Sequence, residues 1–473
     1  MVRGKSTELK NKTLLESLFV TILPKITPTK EEMEQVIYSS NEIMGRLRKA
    51  VPKGVEIILA GSTARGTQLR GSSDIDIFLL FPKDMEERTM EAKALSIAKT
   101  IVDKRKNERY IIKYAEHPYM RLILDDINIK ADIVPAFKIK KSSDRGTAVD
   151  RTQLHNKFVN SHLSLRQKND TRLLKYLLRC HGIYGAEAKI EGFSGYLCEL
   201  LIYHYGSLPK LIESVANLNL PLGIDAAKRV TYQKSTKECI SLGKKFGSRF
   251  IVLDPVDKNR NVAANLSEES LAKLAFLCRE LAKKPTLETI YGKKFSDVNS
   301  SSKLAALCKK ADASMYAISF KIADVAEDIT WQQTKRLRLR MHKVLDDAGF
   351  KVALSLQGLT ETEGTIGFML LNDEVKSTIA EGPSIFMRQA SEAFIKSHLK
   401  RGTIFIDSGR FYSIEKPKFV NAYSLISSFK NRALLPSHIR LDNFVVLKGK
   451  LPEGIAKLLY KAYLAKILQN SHF

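Results

Sequence analysis

Two aspartates separated by one residue begin an apolar segment and could together hold a divalent cation. Asp74 and Asp76 open a run that stays apolar to Phe81. Because alternate side chains of a strand share a face, both carboxylates would point the same way while Ile75 points into a core. Mg²⁺ takes one or two carboxylates together with substrate phosphates. For an isolated Asp-x-Asp pair, the alternative is a solvent-facing strand that carries two acids.

The residues before and after this pair favour nucleotidyl transfer. Gly61 and Ser62 form a predicted tight turn, and Arg65 follows, so that a hydroxyl and a guanidinium are available to a triphosphate. Further along, Asp132 lies on the polar face of an alternating segment. We therefore expect Asp132 to be a third metal ligand beside the Asp-x-Asp pair.

The charge of the chain indicates a polyanionic partner. Its 473 residues include 77 Lys plus Arg and 51 Asp plus Glu, for a formal net charge of +26. Such an excess favours nucleic acid, although a merely basic protein or one that meets anionic membranes would share it. No stretch has the length of a transmembrane helix, and the N-terminal residues carry no apolar signal region, so we expect no membrane attachment.

The five cysteines are scattered and contain no Cys-x-x-Cys pair. This spacing predicts neither a disulfide framework nor a zinc site, and it fits reduced thiols in the cytoplasm.

Hydrophobic periodicity predicts an α+β protein. Helices are expected in the first fifty residues, with Thr27 as N-cap and Pro28 in the first turn, and then at Lys83 to Arg109, Gln153 to Ala216, after Ser267, and at Ser384 to Lys400. Strands are expected at Val55 to Leu59, Asp74 to Phe81, Tyr110 to Ala115, Met120 to Leu124, Asn128 to Val134, Arg249 to Leu253, Met315 to Phe320, Gly364 to Leu371, Thr403 to Ile406 and Arg410 to Ile414. The segment Lys283 to Ser302 is predicted to join two domains.

The run GSTARGTQLRGSSDIDIFLLFP resembles the nucleotidyltransferase signature of the polymerase-β superfamily. The rest of the chain is similar, more narrowly, to the archaeal (class I) CCA-adding enzymes, which are tRNA nucleotidyltransferases. The motifs that carry this resemblance extend from about residue 30 to 415 and read YAEHPY, ADIVPAF, RLLKYLLRCHGIYGAEAK, GFSGYLCELLI, DPVDKNRNVAANLS and GPSIFMRQASEAF.

The resemblance implies a polymerase-β-like head with a mixed sheet, a helical neck, an α/β body and a tail. The implied divisions are a catalytic head at 1–150, a neck and nucleotide-binding body at 151–290, and an RNA-binding region at 291–473. The implied reaction adds C, C and A to tRNA that lacks its 3′ CCA, from CTP and ATP, with two Mg²⁺ ions and no template. A homodimer is compatible with it.

The resemblance also assigns roles to individual residues. Asp74, Asp76 and Asp132 match the metal-binding carboxylates, Ser62 and Arg65 match contacts to the triphosphate, His155, Lys175 and Tyr184 match further nucleotide contacts, and Arg260 matches the arginine that hydrogen-bonds the base. Four of the residues outside the carboxylates have a plainer interpretation. His155 and Tyr184 could be packing residues, and Lys175 and Arg260 could be solvated surface cations.

Two other functions remain open on the sequence. A poly(A) polymerase or oligoadenylate synthetase would incorporate ATP alone. A non-catalytic RNA-binding protein on the same fold would leave three carboxylates repelling one another. In the predicted tail, a basic cluster could face RNA or be a solvated helix surface, and it consists of Lys335, Arg336, Arg338, Arg340, His342 and Lys343.

Overall fold

The computed structural model describes residues 2–72, 74–114, 116–142, 144, 147, 149–292, 298–429 and 436–466. The chain forms two compact units, Met1–Lys293 and Lys294–Leu468. Both mix helices with sheets, so the predicted α+β class is confirmed. Among the described helices, none has both the length and the apolar content that crossing a bilayer requires.

The first unit contains eleven described α-helices and nine strands. The helices are Val2–Ile26 (α1), Lys30–Ala50 (α2), Gly61–Arg65 (α3), Glu87–Thr100 (α4), Thr152–His162 (α5), Leu165–Cys180 (α6), Gly195–Tyr205 (α7), Leu208–Ala216 (α8), Lys237–Phe246 (α9), Glu268–Lys283 (α10) and Leu287–Tyr291 (α11). The strands are Glu56–Ala60 (β1), Asp74–Phe81 (β2), Glu108–Lys113 (β3), Tyr119–Leu124 (β4), Ile129–Phe137 (β5), Leu222–Asp225 (β6), Val230–Tyr232 (β7), Phe250–Asp254 (β8) and Asp257–Asn261 (β9).

Strands β1 to β5 form one mixed sheet, here called the head sheet, in the order β1-β2-β5-β4-β3. Its central pair, β2 and β5, is parallel, and the other neighbours are antiparallel. Side chains alternate between the two faces. Ile75 and Ile77 pack with α2 and α4 on one face, and Phe78 and Leu80 pack in a smaller cluster on the other. The polar end of β2 therefore projects on the second face.

The largest core of the unit is mostly helical and covers a second sheet, with the order β7-β6-β8-β9. The predicted stripe of α6 is part of this core, including the fully buried Leu174 and Leu178. Helix α7 is apolar nearly all round, with Leu200 and Leu201 buried, as expected of a helix enclosed by others.

The second unit contains helices Ser300–Lys310 (α12), Glu327–Asp347 (α13), Arg388–His398 (α14), Ala422–Ser428 (α15) and Glu453–Lys466 (α16). Its strands are Ser314–Ile322 (β10), Val352–Leu359 (β11), Glu363–Leu370 (β12), Thr378–Ser384 (β13), Gly402–Asp407 (β14), Arg410–Glu415 (β15) and Ile439–Lys448 (β16). They form two antiparallel sheets, with the orders β11-β12-β10-β16 and β13-β15-β14.

Most predicted elements are present, and the errors have local causes. Thr29, not Thr27, is the N-cap of α2, because its side chain accepts the amide of Glu32 while Glu32 accepts the amide of Thr29. Strand β5 continues through Pro135, where the neighbouring strand β4 has already stopped pairing at Ile133.

Other boundaries also differ. The helix predicted at Lys83 to Arg109 ends at Thr100, and Arg109 lies in β3. The predicted end of that strand, Ala115, lies outside the described residues. The boundary between the two units falls within the segment predicted to join two domains, but that segment contains α11 and the start of α12. Its residues 293–297 also lie outside the described residues. All five cysteines have free thiols, as expected.

Candidate active site

The register of the head sheet brings two of the three predicted carboxylates side by side. Asp76 and Asp132 are paired residues on the adjacent parallel strands β2 and β5, so their side chains leave the same face about 5 Å apart at the backbone. Asp74, one alternation earlier on β2, lies opposite Lys130 and is exposed. The three acids therefore share one face at one end of the parallel pair.

The crowding of these acids is reflected in Asp76. Burial, together with the neighbouring carboxylates of Asp132 and Asp74, raises the pKa of Asp76 to about 6, against the opposing charges of Arg65 and Arg121. A bound cation would remove this repulsion, and oxygen ligands suit a hard divalent ion. The donor set therefore fits a divalent metal held by Asp74, Asp76 and Asp132.

Asp132 also has a partner that the sequence analysis missed. Arg121 lies opposite Asp132 on the antiparallel strand β4, and its Nε and Nη2 each donate to one carboxylate oxygen at 2.6 Å. This bidentate pair raises the pKa of Arg121 and fixes the orientation of Asp132. The signal was an arginine inside the otherwise apolar segment YMRLIL, on a strand that had to pair with β5.

Gly61 lies against the metal-binding carboxylates. Its φ is +69°, in the left-handed region that favours glycine, and a Cβ there would lie 1.7 Å from Oδ2 of Asp76. No side chain fits in that space unless Asp76 moves. The predicted tight turn is instead the start of helix α3, and its first residue, a glycine, allows the chain to pass close to the carboxylate.

We expect Gly61→Ala to reduce nucleotide addition at least tenfold, because its methyl group displaces the Asp76 carboxylate. Gly71→Ala is the matched control: φ at Gly71 is +70°, but among the described residues nothing other than its chain neighbours lies within 4 Å of the added Cβ. Both variants should lose about 1–2 kcal/mol of unfolding free energy from backbone strain. Nucleotide addition and thermal unfolding are measured for both proteins. Backbone strain should affect both variants, whereas displacement of Asp76 should affect Gly61→Ala alone. Equal activities of the two variants would exclude that displacement.

Arg65 and Lys175, two predicted phosphate ligands, meet at a buried carboxylate that the sequence analysis missed. Nε of Arg65 lies 3.1 Å from Oε2 of Glu199, and Nζ of Lys175 lies 3.5 Å from Oε1. Thr67 donates its hydroxyl to the same Oε1 at 2.5 Å, and Lys175 donates to Thr67. Lys175 is 1% exposed, so the alternative of a solvated lysine is wrong.

The charges in this cluster stabilise one another. Burial alone would raise the pKa of Glu199, but the charges of Arg65 and Lys175 lower it below its ordinary value. Burial lowers the pKa of Lys175, although Glu199 opposes this change. Two cations surround one carboxylate, so the cluster has a surplus of positive charge for an anion.

Tyr184 lies beside Lys175, while Ser62 lies at the start of α3. A Cβ at Gly195 would lie 3.3 Å from the hydroxyl of Tyr184 and 3.5 Å from Nζ of Lys175. Burial raises the pKa of Tyr184. Ser62 follows Gly61 directly and is partly buried. The structure thus places Tyr184 and Lys175 together, and Ser62 next to the glycine that contacts Asp76.

His155 and Arg260 also meet at a buried carboxylate, Asp254. Nε2 of His155 and Nη1 of Arg260 each lie 2.9 Å from Oδ2 of Asp254. The hydroxyl of Tyr196 donates to Oδ1 at 3.0 Å, and its ring stacks on His155 with centroids 4.0 Å apart. Asp254 is 1% exposed. We call these four residues the Asp254 cluster.

Charge and burial set the protonation of this cluster. Burial alone would raise the pKa of Asp254, but hydrogen bonds from its partners, including His155, lower it. Burial lowers the pKa of His155, against the effect of Asp254. Nε2 of a neutral His155 then donates to the carboxylate, while the guanidinium of Arg260 stays partly exposed.

A single helix connects the two clusters. Helix α5 carries His155 in the Asp254 cluster, and its next residue, Asn156, accepts from Nη1 of Arg65 at 3.3 Å. The chemistry-bearing residues that the sequence analysis did not assign are Arg121, Tyr196, Glu199 and Asp254. Asp254 and Glu199 lie within motifs that were recognised, but their partners other than Arg260 are distant in sequence.

Five members of the basic cluster of the second unit divide between two surroundings, and the sixth, Lys335, is partly buried. Arg338 donates to Gln357 and Ser355, and His342 lies 3.2 Å from the same serine hydroxyl, so both face strand β11. The exposed members of the basic cluster lie at helical spacing on another face of α13, and they are Arg336, Arg340 and Lys343. These three form a basic surface stripe.

Comparisons with known proteins match three successive parts of the chain. Family profiles match a nucleotidyltransferase domain over residues 40–155, a tRNA nucleotidyltransferase second domain over 169–291 and a CCA-adding enzyme C-terminal domain over 312–440.

Two full-length relatives extend the similarity over most of the chain. The CCA-adding enzyme of Methanocaldococcus jannaschii is 33% identical over 445 residues, which cover 92% of this chain and 96% of that protein. The CCA-adding enzyme of Archaeoglobus fulgidus is 31% identical over 422 residues, covering 88% and 89%. The chain therefore belongs to the CCA-adding enzymes, the archaeal class I tRNA nucleotidyltransferases.

Proposed function

We propose that the protein adds C, C and A to the 3′ end of tRNA, using CTP and ATP without a nucleic-acid template. Membership of the CCA-adding enzymes supports this function. The pairing of Asp76 with Asp132 across two parallel strands is the single structural observation that carries it. Because these acids repel each other without a cation, the site is suited to a metal-dependent transfer.

In the proposed reaction, the 3′ oxygen of the tRNA bonds to the α-phosphorus of the nucleotide, the bond to the β-phosphate bridging oxygen breaks, and pyrophosphate leaves. We propose that Asp74, Asp76 and Asp132 would hold two Mg²⁺ ions, which would supply charge neutralisation and lower the pKa of the attacking hydroxyl. Arg121 would hold Asp132 in position through its two hydrogen bonds. Gly61 would keep the space beside Asp76 open.

The nucleotide would extend between the two buried clusters. Ser62, Arg65, Lys175 and Tyr184 are the proposed contacts to the phosphates and sugar, and the positive surplus around Glu199 supports this assignment. His155 and Arg260 are the proposed contacts to the base. Asp254 would hold the Arg260 guanidinium, whose rigid fork of donors suits a base edge.

We propose that the catalytic head is 1–150, that the neck and nucleotide-binding body is 151–290, and that 291–473 binds RNA. The exposed stripe of Arg336, Arg340 and Lys343 is the proposed electrostatic contact to the tRNA backbone. A cytoplasmic location remains a prediction from the scattered cysteines, and a homodimer is compatible with the proposed function.

The direct test supplies tRNA lacking its last three nucleotides with each labelled nucleotide in turn. Ordered incorporation of two C and one A supports the proposal. Incorporation of ATP alone would instead identify a poly(A) polymerase-like enzyme. RNA binding without any incorporation would identify a binding protein.

We expect Arg260→Ala to reduce the preference for CTP over UTP at least tenfold, because the loss of a base-directed hydrogen bond costs about 1–3 kcal/mol. Lys258→Ala is the matched control, because it removes an equal charge from an exposed position two residues earlier on β9. Incorporation of competing labelled nucleotides into truncated tRNA gives the ratio. Unchanged discrimination by Arg260→Ala would remove this arginine from the base-reading set.

A further inference from the structure

A second group of metal-ligating side chains lies on the other face of the head sheet. Glu87 and Glu91 lie one turn apart on α4, and His117 lies in the connection between β3 and β4. Helix α4 packs on the face that carries Ile75, whereas Asp76 alternates to the opposite face. The group is therefore separate from the carboxylates assigned to nucleotidyl transfer.

The three side chains converge on a small volume. Nδ1 of His117 lies 2.9 Å from Oε1 of Glu91 and 3.4 Å from Oε1 of Glu87. One ligand atom from each residue lies within 4.8 Å of the others. The ring of His117 is fully buried, whereas Glu87 is half exposed, so the group is open to solvent on one side.

Hydrogen bonds at Nε2, the other ring nitrogen of His117, determine whether Nδ1 carries a proton or a free lone pair. Nε2 of His117 lies 3.2 Å from the hydroxyl of Thr147, and that hydroxyl donates to Oδ2 of Asp150 at 3.1 Å. Thr147 has a single hydroxyl proton, so Nε2 must carry the hydrogen and donate to Thr147. In the neutral ring, Nδ1 then has a lone pair directed at two carboxylates.

Three acceptors facing one another need a cation between them. An extra proton on His117 would supply one positive charge, and a divalent metal ion would supply two. A metal-binding histidine almost always donates its other ring N–H to a carboxylate, a backbone carbonyl or water, which orients the ring, and here a threonine hydroxyl bound to a carboxylate takes that place. The chain from His117 through Thr147 to Asp150 has this form.

We propose that Glu87, Glu91 and His117 bind one divalent transition-metal ion, with Zn²⁺ as the fitting occupant. Zinc–nitrogen and zinc–oxygen bonds of about 2.0–2.2 Å place the ligands of a tetrahedral site about 3.4 Å apart. The two distances from Nδ1, 2.9 and 3.4 Å, require only small adjustment. An imidazole with carboxylates favours transition metals over Mg²⁺.

The bound ion would connect α4 to the residues that lead into β4. Since Arg121 and its partner Asp132 follow on β4 and β5, the site would stabilise the strands behind the carboxylates without touching substrate. The expected role is structural. Metal binding should therefore raise the melting temperature of the full chain, and it should not require tRNA or nucleotide.

Calorimetric titration of the metal-stripped full-length protein with ZnCl₂ tests the proposal. All proteins carry Asp76→Asn and are kept in excess Mg²⁺, so that the other carboxylates contribute little. One equivalent should bind, and Glu87→Gln or Glu91→Gln should each weaken binding at least tenfold. Glu86→Gln, which removes an exposed acid beside the group, is the matched control and should bind as the parent does.

Three results would overturn the proposal. These are no zinc uptake by the parent protein, equal affinity in Glu87→Gln, and an unchanged melting temperature on saturation. Should Glu91→Gln fail to fold, Glu87→Gln still decides, because Glu87 is half exposed. Two ring N–H signals from His117 in a protein that takes up no zinc would show that a proton occupies the place of the metal.

Discussion

Asp76→Asn is expected to reduce nucleotide addition by about 10³-fold or more, corresponding to about 4 kcal/mol of transition-state stabilisation. Asparagine keeps the size of the side chain, but it removes the charge that the proposed metal site requires. Affinity for tRNA should change less than twofold, because Asp76 lies at the sheet and not on the basic stripe of the second unit. Single-turnover addition of C and a filter-binding assay measure the two quantities.

The matched control is Asp125→Asn. Asp125 is an exposed carboxylate of the same unit, where it pairs with Arg109 at 2.6 Å. Its replacement should leave addition within twofold of the parent. Activity of Asp76→Asn within tenfold of the parent would contradict the assignment. Asp74→Ala and Asp132→Ala should also abolish addition, although the second also leaves Arg121 without its carboxylate.

Glu199→Gln should give the largest loss of stability, about 3–5 kcal/mol. Removing one member of a buried ion pair leaves the remaining charges uncompensated, and here Arg65 and Lys175 would both remain. Glutamine preserves volume, so a cavity does not contribute. Denaturant unfolding followed by a signal from the first unit measures the change, because the protein has two units and need not unfold in one step.

Glu268→Gln provides the comparison for that measurement. Glu268 pairs with Arg249 at 3.5 Å, and both side chains are mostly exposed. Its replacement should cost at most about 1 kcal/mol, as is typical of surface pairs. Equal losses in the two variants would mean that the Glu199 carboxylate is not ionised among its partners.

Local pattern was sufficient to place the predicted carboxylates on strands. The alternation around Asp74 and Asp76 predicted their common face, and the alternation of β5 predicted the face of Asp132. The sequence contained no information on register, so the pairing of Asp76 with Asp132 is a finding of the structure. The assignment of all three to metal remains a prediction.

The partners of the predicted residues could not be read from periodicity. Glu199 is the single acid of the apolar helix GYLCELLIYHY. A buried acid indicates that a cation lies nearby, but the sequence does not show which residue carries that cation. Asp254 is likewise the single acid of an apolar strand, FIVLD, and is its last residue. Apart from Arg260, six residues from Asp254, their partners are far away in sequence, up to the 134 residues between Arg65 and Glu199, so tertiary packing brings them together.

Helix α5 has a consequence for how one enzyme could use both CTP and ATP. His155 and Asn156 are consecutive residues of one rigid helix. The distance between the proposed base contact, His155, and the residue that holds Arg65 near the phosphates, Asn156, is therefore fixed. If the proposed nucleotide contacts hold, a larger purine cannot be admitted by spreading these two contacts apart. The difference in size between the pyrimidine of CTP and the purine of ATP must instead be accommodated outside α5, by the hairpin of β8 and β9 that carries Arg260 or by the growing RNA end.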